Sequence, residues 1–127
     1  MKVRDLHPRD PVTVTPYDTL RSASKHLSDD DIGALVIVGS HGAQAIISER
    51  DINRAVADGV DLDSTPVDDY MTESPVFVDI EAPIGEAIAK MNEYDFRHLV
   101  VTEGEDVVGI ISMRDVFHLL GSAWPEL

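Results

Sequence analysis

The sequence predicts an α/β fold made of two copies of one βαββα unit. The first observation behind this is an internal repeat: shifted by 64, residues 3–52 lie over residues 67–116 without a gap, and fourteen of the fifty positions are identical. Ordinary composition gives about three by chance. The second is the alternation, twice over, of β-branched apolar runs with stripes of helical spacing. The third is the short polar turns that separate neighbouring runs at matching positions.

Each copy opens with a short turn of helix, Val3–Leu6 and Val67–Tyr70. Pro11 and Pro75 then introduce the strands Val12–Val14 and Val76–Val78. An amphipathic helix follows. In the second copy Ile84, Ala87, Ile88 and Met91 share one face, with Pro83 suited to the first turn. In the first copy Leu20, Ala23 and Leu27 do the same, with Ser24 weakening the stripe. The runs Ala34–Val38 and His98–Thr102 read as strands, joined by hairpin-length turns to Ala43–Ile47 and Val107–Ile111. A last helix starts near Ser48 and near Ser112, with apolar positions Ile52, Ala55, Val56 and Val116, Leu119, Leu120. The organisation expected is a repeat over 1–60, a linker over 61–66, a second repeat over 67–121 and a tail over 122–127, whose Trp124 would pack on a neighbouring surface.

Composition narrows the function. A chain of 127 residues forms one compact module, large enough to need no staple. With no cysteine, disulfides, thiolate metal sites and cysteine nucleophiles are excluded. No apolar run is long enough to span a bilayer, and the first residues lack a signal-peptide core, so a cytoplasmic protein is expected. The net charge of −14 opposes non-specific binding to nucleic acid or to an anionic membrane. It does not oppose a phosphate ligand, because screening over about 8 Å lets a local basic pocket outweigh distant acids.

The most informative polar pattern is Ser48-x-Arg50-Asp51 and its copy Ser112-x-Arg114-Asp115, each where a strand gives way to a helix. A hydroxyl at the N-cap with an acid three residues later forms a capping box, and an acid in the first turn suits the helix dipole. The same geometry serves a ligand. A helix N-terminus offers free N–H groups to phosphate, and an acid one turn in can accept from ribose hydroxyls. The two roles are compatible. The arginine that recurs in both copies adds weight to the ligand role, since a cap needs none.

With these residues in view, the chain resembles a tandem pair of cystathionine β-synthase (CBS) domains, a Bateman module of the stand-alone type. The likeness rests on Ile32–Val38, Phe96–Val101 and the two Ile-Ile-Ser-x-Arg-Asp runs, and covers about residues 2–120. It implies two βαββα repeats packed through their sheets with pseudo-twofold symmetry. It also implies clefts for adenosine-containing ligands (AMP, ADP, ATP, S-adenosylmethionine or NAD), with no obligatory cofactor. Carried onto this chain, one site combines Val76, Arg97 and His98 with Ser48, Arg50 and Asp51. The other combines Val12, Gly33 and Ala34 with Ser112, Arg114 and Asp115. Backbone near Val12 or Val76 would meet adenine, Asp51 or Asp115 ribose, and Ser and Arg phosphate. Arg97 and His98 stand where the other site has glycine and alanine, so the first site is expected to bind phosphate better. His98, if it titrates near the ordinary value of about 6.5, would raise that affinity as pH falls. Alternatively, Arg97 pairs with Asp95 or Glu93 at the surface, and His98 packs in the strand. The His7-Pro8 lead-in departs from the family's pattern, which Met71-Thr72 follows.

The resemblance implies a regulatory sensor that forms a homodimer through its helices and signals to a partner protein. The alternative is a ligand-free interaction scaffold. An enzyme is not expected, because no nucleophile–base pair or metal set is present. A basic patch of Arg50, Arg54 and Arg97 is the one feature that would favour RNA, and Asp29–Asp31 reads as a solvated loop rather than a metal site.

Overall fold

The computed structural model describes residues 1–123, so the expectation for Trp124 lies outside the described residues. The chain forms two compact units: Val12–Pro75 makes one, and Met1–Pro11 joins the chain from Val76 onward to make the other. Each unit therefore borrows its lead-in from the other repeat.

The unit over Val12–Pro75 holds strand β1 (Thr13–Val14), helix α1 (Leu20–Asp29), the hairpin β2 (Ala34–Gly39) and β3 (Gly42–Ser48), and helix α2 (Glu49–Asp58). A 3-10 turn (Val67–Asp69) and a short strand β4 (Thr72–Glu73) complete it. The sheet order is β1-β2-β3-β4, with β1 parallel to β2 and the other pairs antiparallel. β4 is an addition to the elements read from the sequence. It places Thr72 opposite Ile46.

The other unit repeats the plan with β5 (Phe77–Asp79), α3 (Ile84–Tyr94), β6 (His98–Glu103), β7 (Asp106–Ser112) and α4 (Met113–Ala123), in sheet order β5-β6-β7. The copies agree in backbone detail. The hairpin register breaks between Ile37 and Val38 in one and between Val101 and Thr102 in the other, positions 64 apart. The Val36 N–H donates to Val12 O at 3.0 Å, and the Val100 N–H to Val76 O at 3.0 Å.

The lead-ins dock equivalently. The N–H groups of Val3 and Arg4 donate to Ala82 O and Ile80 O, both at 2.9 Å. Those of Val67 and Asp68 donate to Asp18 O and Pro16 O at 2.8 and 3.1 Å. Val3 and Val67 are both fully buried. Outside, Arg4 and Lys2 pair with Glu81 and tie the first lead-in down further.

Packing corrects the helix faces. Leu20, Ala23 and Leu27 are buried in α1, and Ile84, Ala87 and Met91 in α3, but Ile88 is 42% exposed. On a 3.6-residue helix Ile88 lies roughly 40° outside the stripe its neighbours define. Ser24 takes the same edge position in α1, which is why a serine is tolerated there. Val56 is likewise exposed on α2. Leu35, Ile37, Ala45 and Ile47 join α1 and Ala55 in one core, and Leu99, Val101 and Ile111 join α3 and Val116 in the other. Burying each such Leu, Ile or Val contributes about 1.5–3 kcal/mol. Pro83 sits just before the first residue of α3, as its N-cap.

Candidate functional site: two serine–aspartate corners

Each corner is built by a strand that ends on a serine. Ser48 closes β3 in extended conformation and becomes the N-cap of α2. Its backbone N–H and its hydroxyl donate to Asp51 Oδ2 at 2.9 and 3.0 Å, and the Asp51 N–H points back at Ser48 Oγ at 3.4 Å. In the other unit the Ser112 N–H and hydroxyl donate to Asp115 Oδ2 at 2.7 and 3.1 Å, and the Asp115 N–H reaches Ser112 Oγ at 3.3 Å. The capping box expected from the spacing is therefore present twice. It fixes the carboxylate beside the first turn of each helix, where free N–H groups and the helix dipole favour an anion.

The hairpins bring further predicted residues to each corner. Ala34 pairs with Ser48, and the Glu49 N–H donates to Gly33 O at 3.0 Å. His98 pairs with Ser112, and the Met113 N–H donates to Arg97 O at 2.9 Å. Within each unit, then, the structure joins Gly33 and Ala34 to the Ser48 corner, and Arg97 and His98 to the Ser112 corner. Val12 and Val76 lie at the starts of the parallel strands, their carbonyls engaged as above. Arg50, Arg97 and Arg114 are exposed and enter no ion pair among the described residues, and the pairing of Arg97 with Asp95 or Glu93 is not formed. His98 is half-buried.

The corners differ in what else they hold. Asp51 is only 2% exposed. The Thr72 hydroxyl lies 3.2 and 3.3 Å from its two oxygens, and the Arg54 guanidinium pairs with Oδ1. Asp115 is half-buried. Sixty-four residues away from Thr72 and Arg54 stand Pro8 and His118. Proline has no side-chain donor. Pro8 and Arg9 cross β7 with Arg9 opposite Ile110, one residue out of step with Thr72–Glu73 on β3. Sequence reasoning missed Thr72 and Arg54 as partners of Asp51. The three-residue spacing from Asp51 to Arg54 on one helix was the available signal for Arg54. Nothing local marked Thr72, which arrives from a separate strand.

No group of three or more His, Asp or Glu among the described residues is placed to hold a metal ion. No helix among them is long and apolar enough to cross a membrane.

Comparison with known proteins places this geometry. The CBS domain family matches residues 3–58 and 67–122. A 17.7 kDa protein of Acidianus ambivalens is 35% identical over 84% of this chain. The chain spans 65% of that relative's length and 19% of two longer CBS domain-containing proteins of Arabidopsis thaliana. Among solved structures, a CBS domain protein from Pyrobaculum aerophilum complexed with AMP is similar with 31% identity and a TM-score of 0.82, over 97% of this chain and 98% of that one. The CBS domain pair of protein MJ0100, in complex with 5′-methylthioadenosine and S-adenosyl-L-methionine, has 26% identity and a TM-score of 0.86, over 97% and 98%. With two family matches that together cover most of its length and the repeat carried through to its backbone hydrogen bonds, this chain belongs to the CBS domain family as a tandem pair.

Proposed function

We propose that this protein is a regulatory sensor that binds an adenosine-containing ligand and passes the binding event to a partner protein. The observation that carries the reading is the serine–aspartate corner itself: a carboxylate held at a helix start by its own serine, with an arginine one residue before it. Such a corner offers an acceptor to ribose hydroxyls, and N–H and guanidinium donors to phosphate. Relatives of the same fold are described with AMP and with S-adenosylmethionine bound, which supports the ligand class. The residues proposed to contribute are Ser48, Arg50, Asp51, Ser112, Arg114 and Asp115 at the corners, Arg97 and His98 as further donors, and backbone near Val12, Gly33, Ala34 and Val76. The serine hydroxyls are engaged as donors to the aspartates of their own caps, which supports the reading of a binding module. The ligand would act by stabilising one arrangement of the chain over another.

Thermal unfolding with AMP, ADP, ATP and S-adenosylmethionine tests this. A ligand at a hundred times its Kd stabilises the folded state by about 2.7 kcal/mol. At least one of the four should raise Tm in a concentration-dependent way, and adenine alone should not match it. No shift with any of them contradicts the proposal.

We also propose a homodimer. Met113 and Phe117 lie one turn apart on α4, and Phe117 is 67% exposed, which supports a helix face covered by a second copy. Light scattering should give twice the chain mass for the native protein and the chain mass for Phe117→Glu. A native monomer contradicts this.

A further inference from the structure

Resting on the reading that the Ser48–Asp51 corner holds the ribose of a nucleoside, we propose that Arg54 sets the specificity of that corner. It gives up Asp51 to the ribose when the ligand brings a phosphate to take it, so nucleotides bind in preference to phosphate-free nucleosides. A carboxylate offers about four lone-pair sites. Asp51 Oδ2 accepts from the Ser48 N–H and hydroxyl at 2.9 and 3.0 Å, Oδ1 pairs with Arg54, and the Thr72 hydroxyl lies across both oxygens. A ribose hydroxyl therefore has to take one of these places. Ser48 is fixed by its cap, and Thr72 by the backbone pairing of β4 with β3. Arg54 is held by neither. It reaches back three residues along its own helix on a long stem, and its side chain is 57% exposed over a carboxylate that is 2% exposed. Rotation of the Arg54 side chain alone frees Oδ1 and uncovers it.

The cost of that departure decides the ligand. A charge-assisted hydrogen bond is roughly twice as strong as a neutral one, so a ribose hydroxyl does not match the guanidinium it displaces. The released guanidinium gains little within its own helix. Asp58, the next acid one turn along, already accepts from the Tyr70 hydroxyl at 2.7 Å, and an exposed ion pair there contributes little. A phosphate joined to the same ribose makes up the difference. It offers the guanidinium two oxygens side by side, the geometry that arginine grips best. Arg50, exposed and in no ion pair among the described residues, stands in the first turn of α2 as a second cation for it. A ligand without phosphate meets the exchange uncompensated.

Calorimetric titration with AMP and with adenosine tests this, in an Asp115→Asn background so that the heats report the Asp51 corner. With Arg54 intact, AMP should bind at least about tenfold more tightly than adenosine, the difference expected for one hydrogen bond to a charged group. With Arg54→Ala, adenosine should tighten by about tenfold, since no guanidinium has to be displaced, and the advantage of AMP should shrink by about tenfold. Arg54→Gln leaves a neutral donor over the carboxylate. It should move both readings in the same direction, and it carries the test if circular dichroism melts show that the alanine variant fails to fold. Equal weakening of both ligands would show that Arg54 serves only the helix, and weaker AMP with adenosine unchanged would show a phosphate contact without exchange; either result overturns the inference. So does an Asp115→Asn chain that binds neither ligand while the native chain binds AMP, and the nucleoside reading then stands. No heat from the native chain with AMP, adenosine, ADP, ATP or S-adenosylmethionine overturns both.

Discussion

Ser112 holds Asp115 by two donors to one oxygen, its backbone N–H at 2.7 Å and its hydroxyl at 3.1 Å, and Asp115 returns its own N–H. This mutual grip starts α4 and aims the carboxylate. Ser112→Ala should therefore cost about 1 kcal/mol, the usual cost of losing a cap, and lower Tm by about 4 °C. Ser48→Ala should cost more, about 2 kcal/mol, because it strips a donor from a buried carboxylate. Urea unfolding of the two variants side by side checks the order.

Gly109 is needed for a close approach. A Cβ there would lie 2.6 Å from Pro8 Cβ and 2.9 Å from the Arg9 carbonyl oxygen, where the lead-in crosses β7. Gly109→Ala should destabilise the protein by about 1–3 kcal/mol, the cost of forcing atoms into a packed site. The equivalent residue of the other unit is already Ala45, which is buried without difficulty. Ala45→Gly should act only through the lost methyl and added backbone freedom, about 1 kcal/mol. Chemical denaturation distinguishes the two.

The exchanged lead-ins should carry similar weight. Val3 and Val67 are each fully buried under equivalent backbone bonds. Val3→Ala and Val67→Ala should each cost about 2 kcal/mol from lost burial and the cavity left behind. A loss confined to Val67 in urea titrations would show that the first lead-in is dispensable.

Acid should loosen the first lead-in through Glu81. Arg4, by hydrogen bond, and then Lys2 hold the Glu81 carboxyl below its ordinary value of 4.5. A folded value below the unfolded one gives stability that is present above the unfolded value and is lost as pH falls through the folded one. Glu81→Gln should thus narrow the gap to the native protein as pH falls below 4.5 and leave a small, constant gap above it. The pair is exposed, so the effect should shrink further in high salt. Urea midpoints from pH 6 to pH 3 measure it.

Much of the fold was legible because the repeat is gapless: strands, helices and both serine caps fall where aligned periodicity puts them. The exchange of lead-ins was not legible, since the 3-10 turns look alike and nothing local says which repeat receives which. Ile88 was misplaced because a helical period cannot tell the centre of a buried stripe from its edge. At the site, the Ser–Asp geometry followed from spacing. The difference between Asp51 and Asp115 did not, because Thr72 reaches Asp51 through β4, a pairing of distant segments. Arg54 could as well have pointed to solvent.

The most direct test of the nucleoside reading is a titration of the native chain and the Asp51→Asn/Asp115→Asn variant with AMP, ADP, ATP and S-adenosylmethionine. At least one ligand should bind the native chain with saturable heat and fail to bind the folded double variant. Absence of heat with every ligand, or undiminished binding to the double variant, would contradict the account.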